Sequence, residues 1–354
     1  MQNHEPPRHR RIRAVLSLGL AGVVCLVSAP LPAAEKSPAP RAVDAFQQNK
    51  RLGRGVNIIG YDPIWRSRSS ARFKEKHFTL IKEAGFDSVR INLHPFRYGK
   101  ASGDHQLSRE WFATLDWAVE RALAARLMVI LDFHEFNAIG DDPAGNHDRF
   151  LAMWRQIAEH YKGAPAELLF EILNEPCKKL TPEMWNPWLR EALAVIRKTN
   201  PTRTVVIGPA HWNNIGYLEK LDLPEGDRNL IATVHYYDPF PFTHQGAPWA
   251  GRKDKVGIPW KGTEKERGEI ARDFDKAQTW AKKHNRPILL GEFGAYDKAD
   301  MADRVRYLDC VTRQAERRGW SWAYWQFDSD FIVYDMQKQA WVEPILHALI
   351  PRGK

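Results

Sequence analysis

The sequence predicts a single (β/α)8 barrel, an α/β fold. Three observations carry that prediction. Eight apolar, strand-like runs are spaced along 354 residues, amphipathic helical patterns separate most of them, and two of the runs end in a carboxylate, at Glu175 and at Glu292. In a closed parallel barrel every strand opens its C-terminal end on one face, so carboxylates far apart in sequence can share one pocket.

In order, the strand candidates are 54–59, 88–92, 128–133, 167–173, 204–208, 230–236, 287–292 and 321–327. The runs around Val205 and Val234 are continuously apolar, as strands covered on both faces are. Helices are expected at about 70–84, 108–126, 146–162, 181–199, 264–284 and 298–318. Their apolar residues recur at spacings of three and four, as in Leu115, Ala118, Val119 and Ala122. An open doubly wound sheet would tolerate the same alternation, but its nucleotide-binding versions need a glycine-rich phosphate turn that this chain lacks. The connection from Asp238 to Gly262 is long and rich in Pro and Trp, the kind of loop that shapes a site on the open face.

Ahead of the barrel, assigned to 43–354, two segments stand apart. Four arginines fall in the first 13 residues, and 14–29 is then apolar and uncharged. With small residues at Ala33 and Ala34, 1–34 reads as a secretory signal, which predicts a secreted or periplasmic protein. The apolar run is shorter than the ~20 residues of a spanning helix, so no lasting membrane association is expected. Residues 35–42, with Pro38 and Pro40, read as a flexible leader. Cys25 lies inside the signal, behind a Val24 too bulky for a lipoprotein cleavage box, which leaves Cys177 and Cys310, too few for a disulfide scaffold.

Composition narrows the function by exclusion. At 44% apolar and 11% aromatic the chain can bury a large core. Its formal charge of +9 is spread over scattered Lys and Arg among 43 acids, not gathered in a stripe, so nucleic acid is not an expected partner. A monomer is expected. His134-Glu135 lacks a second histidine four residues on, where Ala138 stands, so the zinc motif is absent. Asp141, Asp142 and Asp148 read as a solvated loop, not a calcium site. His94, His105 and His147 read as polar loop residues. The chemistry expected here needs no metal and no cofactor.

The motifs Leu-Leu-Phe-Glu-Ile-Leu-Asn-Glu-Pro, ending at Pro176, and Pro-Ile-Leu-Leu-Gly-Glu-Phe-Gly, ending at Gly294, carry that chemistry. The apolar residues around Glu171 and Glu175 exclude a surface helix. Two facing carboxylates, one protonated and one ionised, are the minimal equipment for breaking a glycosidic bond with retention. The acid needs a neighbouring negative charge and the nucleophile needs a cation and hydrogen-bond donors. Arg90 and Tyr237 are suitable donors at other strand ends, and an arginine inside a barrel must pair, with Glu292 as the natural partner. Trp212, and Trp249 and Trp260 in the long loop, are candidate sugar platforms.

Over nearly all of 43–350 the chain resembles glycoside hydrolase family 5, the large cellulase family. Asn174-Glu175-Pro176 matches its acid/base motif and Gly291-Glu292-Phe293-Gly294 its nucleophile strand. Its arginine falls on Arg90, its two histidines on His134 and His235, its tyrosine on Tyr237 and its strand-eight tryptophan on Trp325. The resemblance implies Glu175 as general acid and then base, and Glu292 as the residue that becomes glycosylated. Asn174 would bind the sugar 2-hydroxyl, His235 would orient Glu175 or meet substrate, His134 would touch sugar hydroxyls, and Trp325 would offer a flat ring face. It implies an endo-β-1,4-glucanase of the bacterial type acting on cellulose-like β-glucan. The same eight positions serve mannan, xyloglucan or mixed-linkage glucan in related barrels, so an endo-β-mannanase is the alternative. A glycan-binding protein without turnover and a transglycosylase are the rivals of other kinds.

Overall fold

The computed structural model describes residues 44–100 and 103–351. The expected signal at 1–34 and leader at 35–42 lie outside the described residues. Eight parallel strands close into a barrel in chain order: β1 (Arg54–Ile58), β2 (Ser88–Leu93), β3 (Met128–Phe133), β4 (Leu168–Glu171), β5 (Val205–Ile207), β6 (Leu230–Tyr236), β7 (Ile288–Phe293) and β8 (Ser321–Tyr324), with β8 pairing back on β1. All eight strand expectations fall on these elements. Among the described residues no helix is long and apolar enough to cross a membrane.

The strands are two-faced, although most of them read as simple apolar runs. Alternate side chains turn outward to the helices, as with Val89, Ile91, Val129, Leu131, Leu168 and Phe170, and these join the large core. The intervening positions turn into the lumen. At its N-terminal end the lumen is apolar, filled by Met128, Ile130, Leu169, Val206, Ile231 and Leu289. Further along the same strands the inward residues are Asn57, Arg90, Asn92, Asp132, Glu171 and Glu292, all buried. The pairings Asn57↔Arg90, Asn92↔Asp132 and Asp132↔Glu171 set them side by side.

Helix ends obey local chemistry more closely than apolar spacing. The helix expected at 70–84 is Glu75–Glu83, begun where the Lys74 N–H donates to His77 Nδ1 at 2.9 Å. The one expected at 146–162 is Pro143–His160, with Asp142 accepting from the Gly145 N–H and a proline in the first turn. The one expected at 298–318 is Met301–Arg317, capped by Asp300. Several elements lie outside the sequence expectations, short helices such as Phe136–Asp141 among them. Helix Ala45–Leu52 closes the N-terminal mouth with Ala45 and Leu52 in the lumen cluster, a hairpin pairs Tyr334–Asp335 with Ala340–Trp341, and Glu343–Leu349 forms the last helix. Between β5 and β6 the crossover holds a 3-10 turn, Ile215–Lys220, in place of a long helix.

Candidate active site

The C-terminal face gathers its polar groups around Arg90. This guanidinium is fully buried and spends its donors on acids: Nε and Nη2 grip Glu171 at 2.6 and 2.8 Å, Nη1 reaches Glu292 Oε1 at 2.7 Å, and Nη2 lies 3.1 Å from Asp132 Oδ2. Nη1 also donates to Asn57 Oδ1 and Nη2 to Asn174 Oδ1, both at 2.8 Å. One cation thus faces three buried carboxylates. The expected partner, Glu292, is present, but Asp132 and Glu171 are additions that sequence reasoning missed. Each stands as a single charge near the C-terminal end of an otherwise apolar strand, a position that in a barrel opens on the same face as Arg90.

Glu292 also accepts from the Tyr237 hydroxyl at 3.1 Å, so both of its oxygens are held. Glu175 sits just beyond β4 with φ +43, a left-handed conformation that swings its side chain back over the lumen. Its Oε1 lies 2.8 Å from His235 Nδ1, and that nitrogen is 3.5 Å from Glu292 Oε2. Donor atoms of Glu175, His235 and Glu292 all lie within 4.8 Å of one another. The nearest Glu175 and Glu292 oxygens are therefore no more than 4.8 Å apart, on the side of the close carboxyl pair of retaining glycosidases (~5–5.5 Å) and not of the ~6.5–9.5 Å gap that inverting enzymes keep for a water.

Burial raises both carboxyls above their ordinary range, and the next-largest influence differs between them. For Glu175 it is the negative charge of Glu292, which raises the acid further. For Glu292 it is Arg90, which pulls back, helped by the Tyr237 hydroxyl. The pair therefore keeps its proton on Glu175 and its charge on Glu292. Burial also lowers His134 and His235 well below the usual imidazole range, with the Arg90 charge adding to it. Both rings are neutral at pH 7.

Glu175, His235 and Glu292 are also the one trio of donors among the described residues compact enough to hold a metal ion. Their atoms are otherwise engaged, with His235 Nδ1 on Glu175 and Glu292 between a guanidinium and a phenol, and the Arg90 charge would repel a cation.

On one side of the pair, His134 Nδ1 bonds Asp132 Oδ2 at 2.6 Å, and its ring lies parallel to Trp325 with centroids 5.5 Å apart. Tyr61, 46% exposed in the loop after β1, stands edge-on to Trp325 at 6.4 Å. Asn174 keeps its Nδ2 buried and without a partner among the described residues, a donor available to a ligand. His94 is buried beside His134, centroids 5.2 Å apart, so it is part of this wall and not a solvated loop residue. Next to them Glu135, pushed by burial to about 7, accepts from the Phe96 and Arg97 N–H groups and ties down the segment after β2.

The three candidate platform tryptophans separate. Trp212 is 40% exposed, and its N–H donates to the Pro176 carbonyl at 3.1 Å, next to Glu175. Trp249 is 57% exposed and packs edge-on to Tyr296. Trp260 is a correction: it is 1% exposed and set edge-on against Tyr307 in the core, so it offers no ring face to a sugar. Its backbone N–H donates to buried Asp303 Oδ2 at 3.1 Å, which fastens the end of the loop to helix Met301–Arg317. Of the remaining histidines and acids, His147 pairs with Glu191 at 2.8 Å on a helix, Asp141 with Lys178, and Asp142 serves as a cap. Cys177 and Cys310 are free thiols.

Comparison with known proteins gives concordant likenesses. The family described as Cellulase (glycosyl hydrolase family 5) matches residues 49–330. Endoglucanase H of Acetivibrio thermocellus is 32% identical over 90% of this chain and 35% of its own length, and Endoglucanase 3 of Fibrobacter succinogenes 26% identical over 82% and 51%. The chain thus spans about a third to a half of these relatives. Among solved structures, endoglucanase Cel5A of Thermotoga maritima superposes with a TM-score of 0.81 at 42% identity, covering 87% of this chain and all of that one. That protein has been solved with cellobiose and with mannotriose. A cellulose synthase subunit Z of Clostridioides difficile superposes with a TM-score of 0.79 at 36% identity, covering 84% of this chain and 99% of that one.

Proposed function

The chain belongs to the cellulase family, glycosyl hydrolase family 5, and from that membership we propose that it is a retaining endo-β-1,4-glucanase of cellulose-like or soluble β-glucan. The observation that carries the reading is the approach of Glu175 and Glu292, with a cation and a phenol on the second and an imidazole on the first. Glu175 gives its proton to the glycosidic oxygen as a Glu292 oxygen bonds to the anomeric carbon and the C–O bond breaks. Esterification removes the Glu292 charge, so the affinity of Glu175 for a proton falls. Glu175 then takes a proton from water, whose oxygen displaces Glu292 and regenerates both carboxyls.

Supporting groups have separate tasks. The unpartnered Asn174 Nδ2 is placed for the sugar 2-hydroxyl. Arg90 and Tyr237 hold Glu292 in its charged form, and His134, Trp325 and Tyr61 bound the sugar side of the cleft. Trp212 and Trp249 remain candidate platforms.

Reducing-sugar release from carboxymethylcellulose and mixed-linkage β-glucan tests the reading. Glu175→Ala is expected to lose ~10²–10⁴ in rate, and Glu292→Ala at least as much. Glycan binding with no turnover in the unmodified protein would instead identify a binding protein. Mannan belongs in the same panel because the Thermotoga relative has been solved with both cellobiose and mannotriose. A higher kcat/KM on mannan would move the assignment to an endo-β-mannanase. We also read 1–34 as an export signal, with the barrel acting outside the cytoplasm, and the N-terminus of the protein recovered from medium or periplasm tests that.

A further inference from the structure

His235 sits between two groups, and only one of them belongs to the acid–nucleophile pair. Its Nδ1 faces the Glu175 and Glu292 oxygens at 2.8 and 3.5 Å. Its Nε2 faces the side-chain amide of Asn213, Nδ2 at 3.2 Å. Asn213 is fully buried and its backbone carbonyl accepts from the His235 N–H at 3.0 Å, so one residue holds the histidine at ring and main chain.

Two features show that this arrangement is built. His211, Trp212 and Asn213 run consecutively at φ +64, +60 and +54, a left-handed stretch that non-glycine residues seldom adopt even singly. Such strain persists only where the surroundings over-determine it. Here the turn is pinned at one end by the Trp212 N–H on Pro176, next to the acid, and at the other by the His235 main chain. Glycines make the room. A Cβ on Gly208 would fall 2.0 Å from Asn213 Oδ1, and one on Gly291 would fall 3.0 Å from His235 Nε2.

We infer that Asn213 is a positioning residue that fixes the proton of His235 on Nδ1, so that the imidazole donates to Glu175 Oε1 and the acid carries its own proton on Oε2, toward the leaving group. With two carboxylate oxygens before it, Nδ1 is the nitrogen that holds hydrogen. A neutral ring then needs a donor at Nε2, and the Asn213 amide supplies one. In the opposite tautomer Nδ1 would present a lone pair, and the Glu175 proton would be shared with imidazole instead of reaching the glycosidic oxygen. Trp212, on the same turn, is thereby held beside the acid.

This inference rests on Glu175 being the general acid, and the test separates the two. In protein labelled with ¹⁵N-histidine, the His235 signals, assigned by their loss in His235→Gln, are expected to show a protonated Nδ1 and a bare Nε2. Asn213→Asp keeps the shape and tolerates the same backbone, but offers an acceptor to Nε2 and should reverse that pattern. Its kcat/KM should fall about 10- to 100-fold on cello-oligosaccharides, whose leaving group needs an acid, and less than about threefold on 2,4-dinitrophenyl cellobioside, whose leaving group does not. A protonated Nε2 in the unmodified protein, an equal loss on both substrates, or no loss on either overturns the role of Asn213. Glu175→Ala, run alongside, must show the same leaving-group dependence. If it does not, the assignment of the acid fails and this inference with it.

Discussion

Arg90 shows how one residue sets the electrostatics of a whole site. Its guanidinium touches Glu171, Glu292 and Asp132 while no solvent reaches it. Of these, Asp132 raises the proton affinity of Glu292 and Arg90 lowers it, so the nucleophile is poised by a balance. The rate on β-glucan should therefore be bell-shaped in pH, rising as Glu292 ionises and falling as Glu175 loses its proton. Because burial raises both groups, both limbs should lie above the ordinary carboxylate range. Asp132→Asn removes a charge that raises both Glu292 and Glu175, so both limbs of kcat/KM should move to lower pH. Glu175→Gln should abolish the basic limb. A profile of kcat/KM against pH for the three proteins checks both, and an acid limb that moves upward in Asp132→Asn contradicts the balance.

At the scale of elements, the sequence makes all eight strands visible because burial on both faces keeps them apolar. It hides the polar lumen because single charges in such runs look like interruptions, and only the period-two spacing of Arg90 with Asn92 reveals a face. Helix starts escape the apolar pattern because capping is a contact between particular atoms. Helix Glu75–Glu83 is the clearest case. His77 Nδ1 accepts from Lys74 N while the ring packs against Phe73, Phe327 and Tyr334, and burial, aided by Lys76 and Lys74, lowers His77 to about 4. Unfolding returns that ring to an ordinary value near 6.5. Between pH 6.5 and 4 the unfolded chain binds a proton that the folded chain refuses, so this contribution to stability shrinks as pH falls. His77→Gln should flatten the dependence of unfolding free energy on pH in that window, by up to about 1.4 kcal/mol per pH unit. Urea titrations at pH 4.5 and 6.5 measure the difference, and an unchanged slope would place the acid sensitivity in other groups.

Over the whole molecule the barrel separates stability from chemistry by its two ends. The residues read from the sequence as catalytic come together at the C-terminal end because strand ends are fixed by topology. The burial of loop aromatics depends on packing that no spacing encodes, which is why Trp249 is open and Trp260 is not. At the other end, helix Ala45–Leu52 escapes the apolar pattern because the face it buries is partly polar. Its Asn49 Nδ2 donates to the Ile288 carbonyl at 3.0 Å and its Oδ1 accepts from Ser321 Oγ at 2.7 Å, joining the plug to β7 and β8. Gln48 likewise donates to the Ala166 carbonyl ahead of β4. Asn49→Ala strands a buried carbonyl and a buried hydroxyl, a loss of ~1–3 kcal/mol. Because the apolar lumen layer of Ile130, Leu169, Val206, Ile231 and Leu289 lies between Asn49 and the carboxylates, the loss should stay at its own end. Denaturation midpoints should fall while kcat/KM on β-glucan and both limbs of its pH profile hold steady at temperatures where the variant is folded. A shifted limb would mean that the plug reaches the catalytic pair through the strands, and that the two ends of the barrel are not independent.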